Sequence, residues 1–312
     1  QQAGFDYLEK KSKAKIFKLQ WKEVLDQKFP LKESLAEFQK ENNKKVDVEI
    51  PAAGSRVAFQ ALKDFSKKIK DYKTQRDIPS VEGTSRFSMY LKNGSLTSTQ
   101  IIQYLDLGKS SYQVDNGPTR FLKEIIWREF YYHILFHRPD VEKHSFLEKF
   151  RNIKWPNDKK LFKHWCEGTT GFPLVDAGMR QLNTTGWMHN RVRMVVASFL
   201  VKDLLIDWRW GENYFMNKLF DGDVAPNNGG WQWAASTGCD PQPYFRIFNP
   251  WLQSEKFDPD GEYIKTYVPE LKNIPAKQLH KPEGDRGTKY PEPIVDHATQ
   301  KKHALKLYGA PP

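Results

Sequence analysis

The sequence predicts an all-α domain over residues 55–312, preceded by a linker arm over residues 1–54. Three observations carry this. From Ser55 onward apolar residues recur at helical spacing, as at Val57, Leu62, Phe65 and Ile69. No stretch of useful length alternates apolar and polar residues as a strand does. Glycines and prolines punctuate the apolar runs, at Gly117-Pro118, Arg138-Pro139, Trp155-Pro156, between Gly171 and Pro173, and between Asp240 and Pro243.

The arm begins with a lysine-rich run (Lys10, Lys11, Lys13, Lys15, Lys18), continues through Trp21 and Pro30, and meets a polar break at 40–45 and a turn at 50–54. It reads as a linker with short helices. The helical pattern begins at Ser55 and runs through the segment 57–72. A second covers 96–105, where Thr97, Ser98 and Thr99 offer an N-cap. The run 120–135 is strongly apolar and aromatic, and further helices are expected over 175–182, 189–206 and 211–219. The stretch 271–312 is rich in proline and lysine, with one short helix over 299–307. No internal repeat is present.

The 312 residues carry a formal net charge of +11, which favours polyanionic partners because each neutralised phosphate releases counterions. Ten tryptophans suggest stacking platforms, a cofactor pocket or both, since each buried indole N–H needs a partner. A large aromatic core is the alternative, and the more common reason for any single one. Cys166 and Cys239 lack zinc-ligand spacing, which fits a reducing, intracellular compartment. The first residues have no apolar signal core, and no run of eighteen apolar residues predicts a membrane span. The chain contains no G-x-S-x-G, no H-E-x-x-H and no P-loop, so familiar hydrolase and nucleotidase chemistry is excluded. His133 and His137 share a helix face without a third ligand, so no metal site is expected.

Four segments hold residues suited to chemistry. Residues 72–77 followed by Gly83, Thr84, Ser85, Arg86, Phe87 and Ser88 form a hydroxyl-rich turn that could hold a phosphate, or simply cap a helix. Glu124, Trp127 and Arg128 share one face of an apolar helix, where the indole can stack on a base and the acid can bond its edge. An intrahelical Glu124–Arg128 pair is the simpler alternative. In 186–208, Arg193 on an apolar helix asks for an anionic partner, while Arg191 projects about a quarter turn from Asn190 and suits a DNA phosphate. In 221–250, Asp221 and Asp223 precede Asn227 and Asn228. Trp231 and Trp233, two apart, would point to nearly opposite sides of a helix.

Together these segments resemble the DNA photolyase/cryptochrome family, over about residues 55–290, and most closely its class I enzymes for cyclobutane pyrimidine dimers. The resemblance implies a helical domain holding bent FAD, active when reduced. It implies light-driven repair of dimers in double-stranded DNA, by a monomer, with a cryptochrome-like photoreceptor as the alternative. By the same resemblance, Tyr72 and the Thr84 to Ser88 loop grip the FAD phosphates and ribityl chain. Glu124 and Arg128 lie between flavin and substrate, and Arg193 with Asp221 forms a buried ion pair beside the flavin. Asp223 meets the flavin's polar edge, and Asn227 stands opposite flavin N5. Asn190 is expected at both cofactor and substrate. Trp127 and Trp233 wall the flipped-out dimer, with Arg191 and Met194 as further contacts. Trp231, Trp208 and Trp155 form a tryptophan chain. Asn227 is the photolyase choice where cryptochromes place Asp or Cys. Phe121 departs from the usual Trp near the adenine and phosphates, which keeps stacking but loses an indole N–H. An α/β antenna domain, with a folate or deazaflavin chromophore, would precede residue 1.

Overall fold

The computed structural model describes residues 48–109, 114–239, 246–287 and 289–309. Residues 1–47 lie outside them, so the expected linker is seen only over 48–54, without helix or strand. All regular elements among the described residues are helical.

The first helix, α1 (Ser55–Ser66), buries Ala58, Leu62 and Phe65. Val57, counted in the apolar stripe from sequence, faces outward, and Ile69 falls in a following 3-10 turn, Ile69–Asp71. A capping box starts α2 (Ser98–Tyr104): the Thr97 hydroxyl accepts from the Gln100 amide, and the Gln100 side chain accepts from the Thr97 amide. The longest helix, α3 (Gly117–His137), starts where the Asn116 side chain accepts from the Thr119 amide and Pro118 fixes the first turn. Asp158 caps α4 (Lys159–Glu167), which ends at left-handed Gly168. Then come α5 (Pro173–Thr185), α6 (Asn190–Ser198), α7 (Trp208–Lys218) and α8 (Val224–Ala234). Last are α9 (Pro250–Phe257), α10 (Glu262–Tyr267) and α11 (His297–Leu307).

The single helix expected over 189–206 is two pieces. After Ser198 the chain widens into a π turn, Phe199–Asp203, with the Leu204 amide donating to the Phe199 carbonyl at 3.0 Å. Both Lys202 and Asp203 are fully buried there. Lys202 Nζ donates to the Ala235 carbonyl (3.2 Å) and the Ser236 hydroxyl (3.1 Å), and lies 3.8 Å over the Tyr308 ring. Asp203 Oδ1 lies 2.5 Å from His297 Nδ1, so α11 is tied to the π turn from both of its ends. The elements α4, α8, α9 and α10 were not among the helices expected from sequence. Each is short, and two open on proline or glycine.

A larger core gathers Trp165, Phe172, Phe199, Trp208 and Tyr263, from α4 through α10. A smaller one gathers Leu62, Phe65, Phe87, Ile101 and Phe121, around α1, α2 and the first half of α3. The second half of α3 packs on α8, which packs in turn on α7. Both approaches need glycine. A Cβ on Gly229 would lie 2.1 Å from the Tyr131 ring, and one on Gly211 would lie 2.1 Å from the Trp231 ring.

Candidate functional site

The junction of α3, α6, the 72–92 segment and the start of α8 brings most of the expected site residues together. Arg193 leaves α6 and donates Nη2 to both oxygens of Asp221, at 2.9 and 3.1 Å. The Ser88 hydroxyl donates to Asp221 Oδ2 at 2.6 Å. Asp221 is 1% exposed at its side chain, so this pair and hydroxyl carry its buried charge. Arg193 itself is a quarter exposed, less buried than its apolar helix implied. Ser88 begins a short helix without capping it, so the capping alternative does not hold.

On α3, the intrahelical Glu124–Arg128 pair is not made. Glu124 instead accepts from Arg76 Nη1 at 2.5 Å. Arg128 donates to Glu129 (3.0 Å), to Tyr132 Oη (3.0 Å) and to Asp223 Oδ2 (3.5 Å). Tyr132 also donates to Asp223, at 2.6 Å. Burial and that carboxylate push its hydroxyl up to about 12. Trp127 is 43% exposed and packs edge-on to Phe130 and tilted on Tyr131. On the next element, Asn190 is exposed and its amide meets Met194 Sδ at 3.8 Å. Arg191 pairs with Asp77 at 2.8 Å.

Along α8 the two tryptophans separate as the helical angle requires. Trp231 is buried against Phe215 and Trp165, whereas Trp233 is half-buried beside Phe248. Tyr131 and Trp233 line a common apolar pocket, and Tyr131 also touches Trp127. Asn227 Nδ2 donates to the Glu212 carbonyl at 3.1 Å, leaving Oδ1 as its free acceptor. The Glu212 carboxyl accepts from Asn228, and burial pushes it up to about 7. Trp208 is buried, with the Arg209 guanidinium 5.9 Å from its ring, while Trp155 is half-buried and meets Tyr308 edge-on at 5.7 Å.

Tyr72, Phe87 and Phe121 lie in the smaller core, ring against ring with Phe65. Burial pushes the Tyr72 hydroxyl well up. Thr84 and Arg86 line an open polar pocket with Trp187, His189 and Glu262. Arg86 is left-handed (φ 54°), 2.8 Å from Glu82 and stacked 4.5 Å over Trp187. The Ser85 hydroxyl accepts from the Phe87 amide at 3.4 Å.

Sequence reasoning missed Arg76, Asp77, Tyr132 and His189. Arg76 and Asp77 stood in a quoted segment, but their partners Glu124 and Arg191 lie 48 and 114 residues away, beyond any local pattern. His189 is 2% exposed, and burial pulls its imidazole down to about 4. Its Nδ1 accepts from the Arg191 amide at 3.2 Å, so Nε2 carries the proton of the neutral ring.

The helical fold thus gathers the buried charge of Asp221, with its partner Arg193, and an exposed indole, at Trp127, around α3, α6 and the start of α8. The chain belongs to the family of the FAD binding domain of DNA photolyase, whose model matches residues 121–310. It is 51% identical over 252 residues to a deoxyribodipyrimidine photo-lyase of Vibrio cholerae, covering 79% of this chain and 54% of that protein. A bacterial class III photolyase from Agrobacterium tumefaciens superimposes with a TM-score of 0.75 at 44% identity, covering 82% of this chain and 55% of that one. A Synechocystis cryptochrome superimposes with a TM-score of 0.76 at 34% identity, covering 83% and 57%. The chain thus spans about half the length of the relatives it matches.

FAD is the group this fold implies, and the residues present fit it. Hydroxyls (Thr84, Ser85, Ser88), a guanidinium (Arg193), carboxylates (Asp221, Asp223) and the Asn227 acceptor supply both kinds of partner that a dinucleotide flavin needs. Two buried donors, His189 Nε2 and Trp231 Nε1, find no partner among the described residues. No helix among those residues is long and apolar enough to cross a membrane.

Proposed function

We propose that this chain is the catalytic part of a light-dependent enzyme that repairs cyclobutane pyrimidine dimers in double-stranded DNA, of the class I kind. The observation that carries the reading is a pair of polar networks based on one helix. One links Glu124 to Arg76, Asp77 and Arg191, the other links Arg128 to Tyr132 and Asp223, and exposed Trp127 lies between Glu124 and Arg128 in sequence. Bound in reduced form and excited by light, FAD supplies the electron that opens the cyclobutane ring and takes it back. Thr84, Ser85, Arg86 and Ser88, with Tyr72 and Phe121 behind them, hold its phosphate and ribityl end. Arg193, Asp221, Asp223 and Asn227 hold its polar edge, and Asn227 offers a carbonyl oxygen there.

The lesion is flipped between Trp127 and Trp233, which costs less than flipping sound bases because a dimer already stacks and pairs poorly. Glu124, held by Arg76, is an acceptor for a pyrimidine N–H, and the guanidinium beside it stabilises charge on the carbonyls. Asn190, Arg191 and Met194 complete the contact. Trp231, Trp208 and Trp155 carry a hole outward when oxidised cofactor is photoreduced. The first 54 residues serve as a linker.

The test is illumination of the purified chain, with reduced FAD, on a thymine-dimer oligonucleotide beside a dark control. Restored thymines in the light alone support the reading. Binding of FAD without repair would replace it with a light-sensing role. The Trp127→Ala variant is expected to lose about tenfold in affinity for dimer DNA, the cost of one stacked base, with FAD content unchanged.

A further inference from the structure

Asp77 stands between two arginines that reach it from different parts of the chain. Its Oδ1 accepts from Arg191 Nη2 at 2.8 Å and Nε at 3.3 Å, and Arg76 Nε lies 3.9 Å from the same oxygen. Arg191 leaves the first turn of α6 and lays its guanidinium 4.2 Å over the Phe257 ring. Arg76 lays its own 5.4 Å over Tyr72 and gives Nη1 to Glu124. Each guanidinium plane is therefore fixed twice, by an aromatic ring and by a carboxylate.

A guanidinium has five N–H donors in a rigid fork. Asp77 takes two of those on Arg191, and Glu124 takes one on Arg76, so donors remain on both for an acceptor from outside. Both side chains reach the surface, at 17% and 19% exposure. Without Asp77 the two cations would repel one another and swing through many rotamers.

We propose that Asp77 is a positioning residue for DNA: it brackets Arg76 and Arg191 so that together they receive a backbone phosphate beside the lesion pocket. This rests on the repair reading above. Its sign is unusual. Removing a carboxylate from a DNA-binding face ordinarily strengthens binding, because repulsion of phosphate is relieved. Here removal releases two arginines and weakens it.

The experiment measures binding of the holoprotein, in the dark, to a thymine-dimer duplex and to the same duplex undamaged, by fluorescence anisotropy across a salt series. The variants are Asp77→Asn, Asp77→Glu, Arg191→Ala and the Asp77→Asn/Arg191→Ala double. Asp77→Asn should bind dimer DNA about tenfold more weakly, with the slope of log K against log salt shallower by about one. Asp77→Glu should recover most of the loss. In the Arg191→Ala background, Asp77→Asn should cost clearly less than it does alone, because only Arg76 is then left to release, whereas a merely structural role would weaken both backgrounds alike. Equal or tighter binding by Asp77→Asn, or full additivity in the double variant, overturns the proposal. If the unsubstituted protein fails to prefer dimer DNA, the repair reading itself falls, and the Asp77 role falls with it.

Discussion

Asp221 shows what a single residue must satisfy here. Its carboxylate is buried and bonded to Arg193, 28 residues away in the chain, and to Ser88, 133 residues away. Replacing Arg193 by Ala leaves that charge buried with one hydroxyl. The expected cost is about 3 kcal/mol, read from urea unfolding at pH 7. His189 gives a pH signature. Its ordinary value of 6.5 is pulled down to about 4 by burial, so between these values the unfolded chain binds a proton that the folded one does not. Stability from this group is present above pH 6.5 and is lost as pH falls through 4, by about 3 kcal/mol in full. His189→Gln should flatten that part of the profile relative to the unsubstituted chain. The need of Arg193 for an anion was legible, because an arginine on an apolar helix demands one. The choice of Glu124 as Arg76's partner was not, because sequence spacing offers Arg128 first and only the fold brings the 72–77 segment alongside α3.

At the scale of elements, the one terminus read from sequence, the cap at Thr97, is made by its side chain. Asn116, Asp158 and Asp296 cap helices in the same way, each with a side-chain oxygen that competes for backbone amides, but those starts were not read from sequence. What it shows poorly is α8, whose Pro226, paired asparagines and Gly229-Gly230 oppose helix by intrinsic preference. Tertiary contact overrides that preference. Gly229 admits the Tyr131 ring and Gly211 of α7 admits the Trp231 ring. A methyl at Gly211 should therefore cost about 1–3 kcal/mol by overpacking, although alanine is the better helix former, and the melting temperature should fall with it. The π turn was equally hidden, since its apolar pattern continues that of α6 without a break.

For the whole molecule, the all-helical class followed from periodicity alone. Its division into two cores did not, because α3 contributes to the smaller core with its first half and to the α8 contact with its second. The basic surplus of +11 acts at this scale as well. If about six phosphates are neutralised, affinity for DNA should fall about a thousandfold between 50 and 200 mM salt, whatever the base sequence. A salt-independent affinity in a filter-binding series would rule out backbone contact as the main attraction.

The clasp between the π turn and α11 bears on the order in which the protein can be made. Lys202 and Asp203 are translated long before His297 and Tyr308, yet they are buried against them. On the ribosome, the middle of the chain would have to enclose an ammonium and a carboxylate still lacking these companions, which is unfavourable. Closure of the larger core is thereby postponed until α11 has been made. A nascent chain stalled at residue 296 should accordingly be cut by protease within 199–208, and a chain that includes α11 should resist.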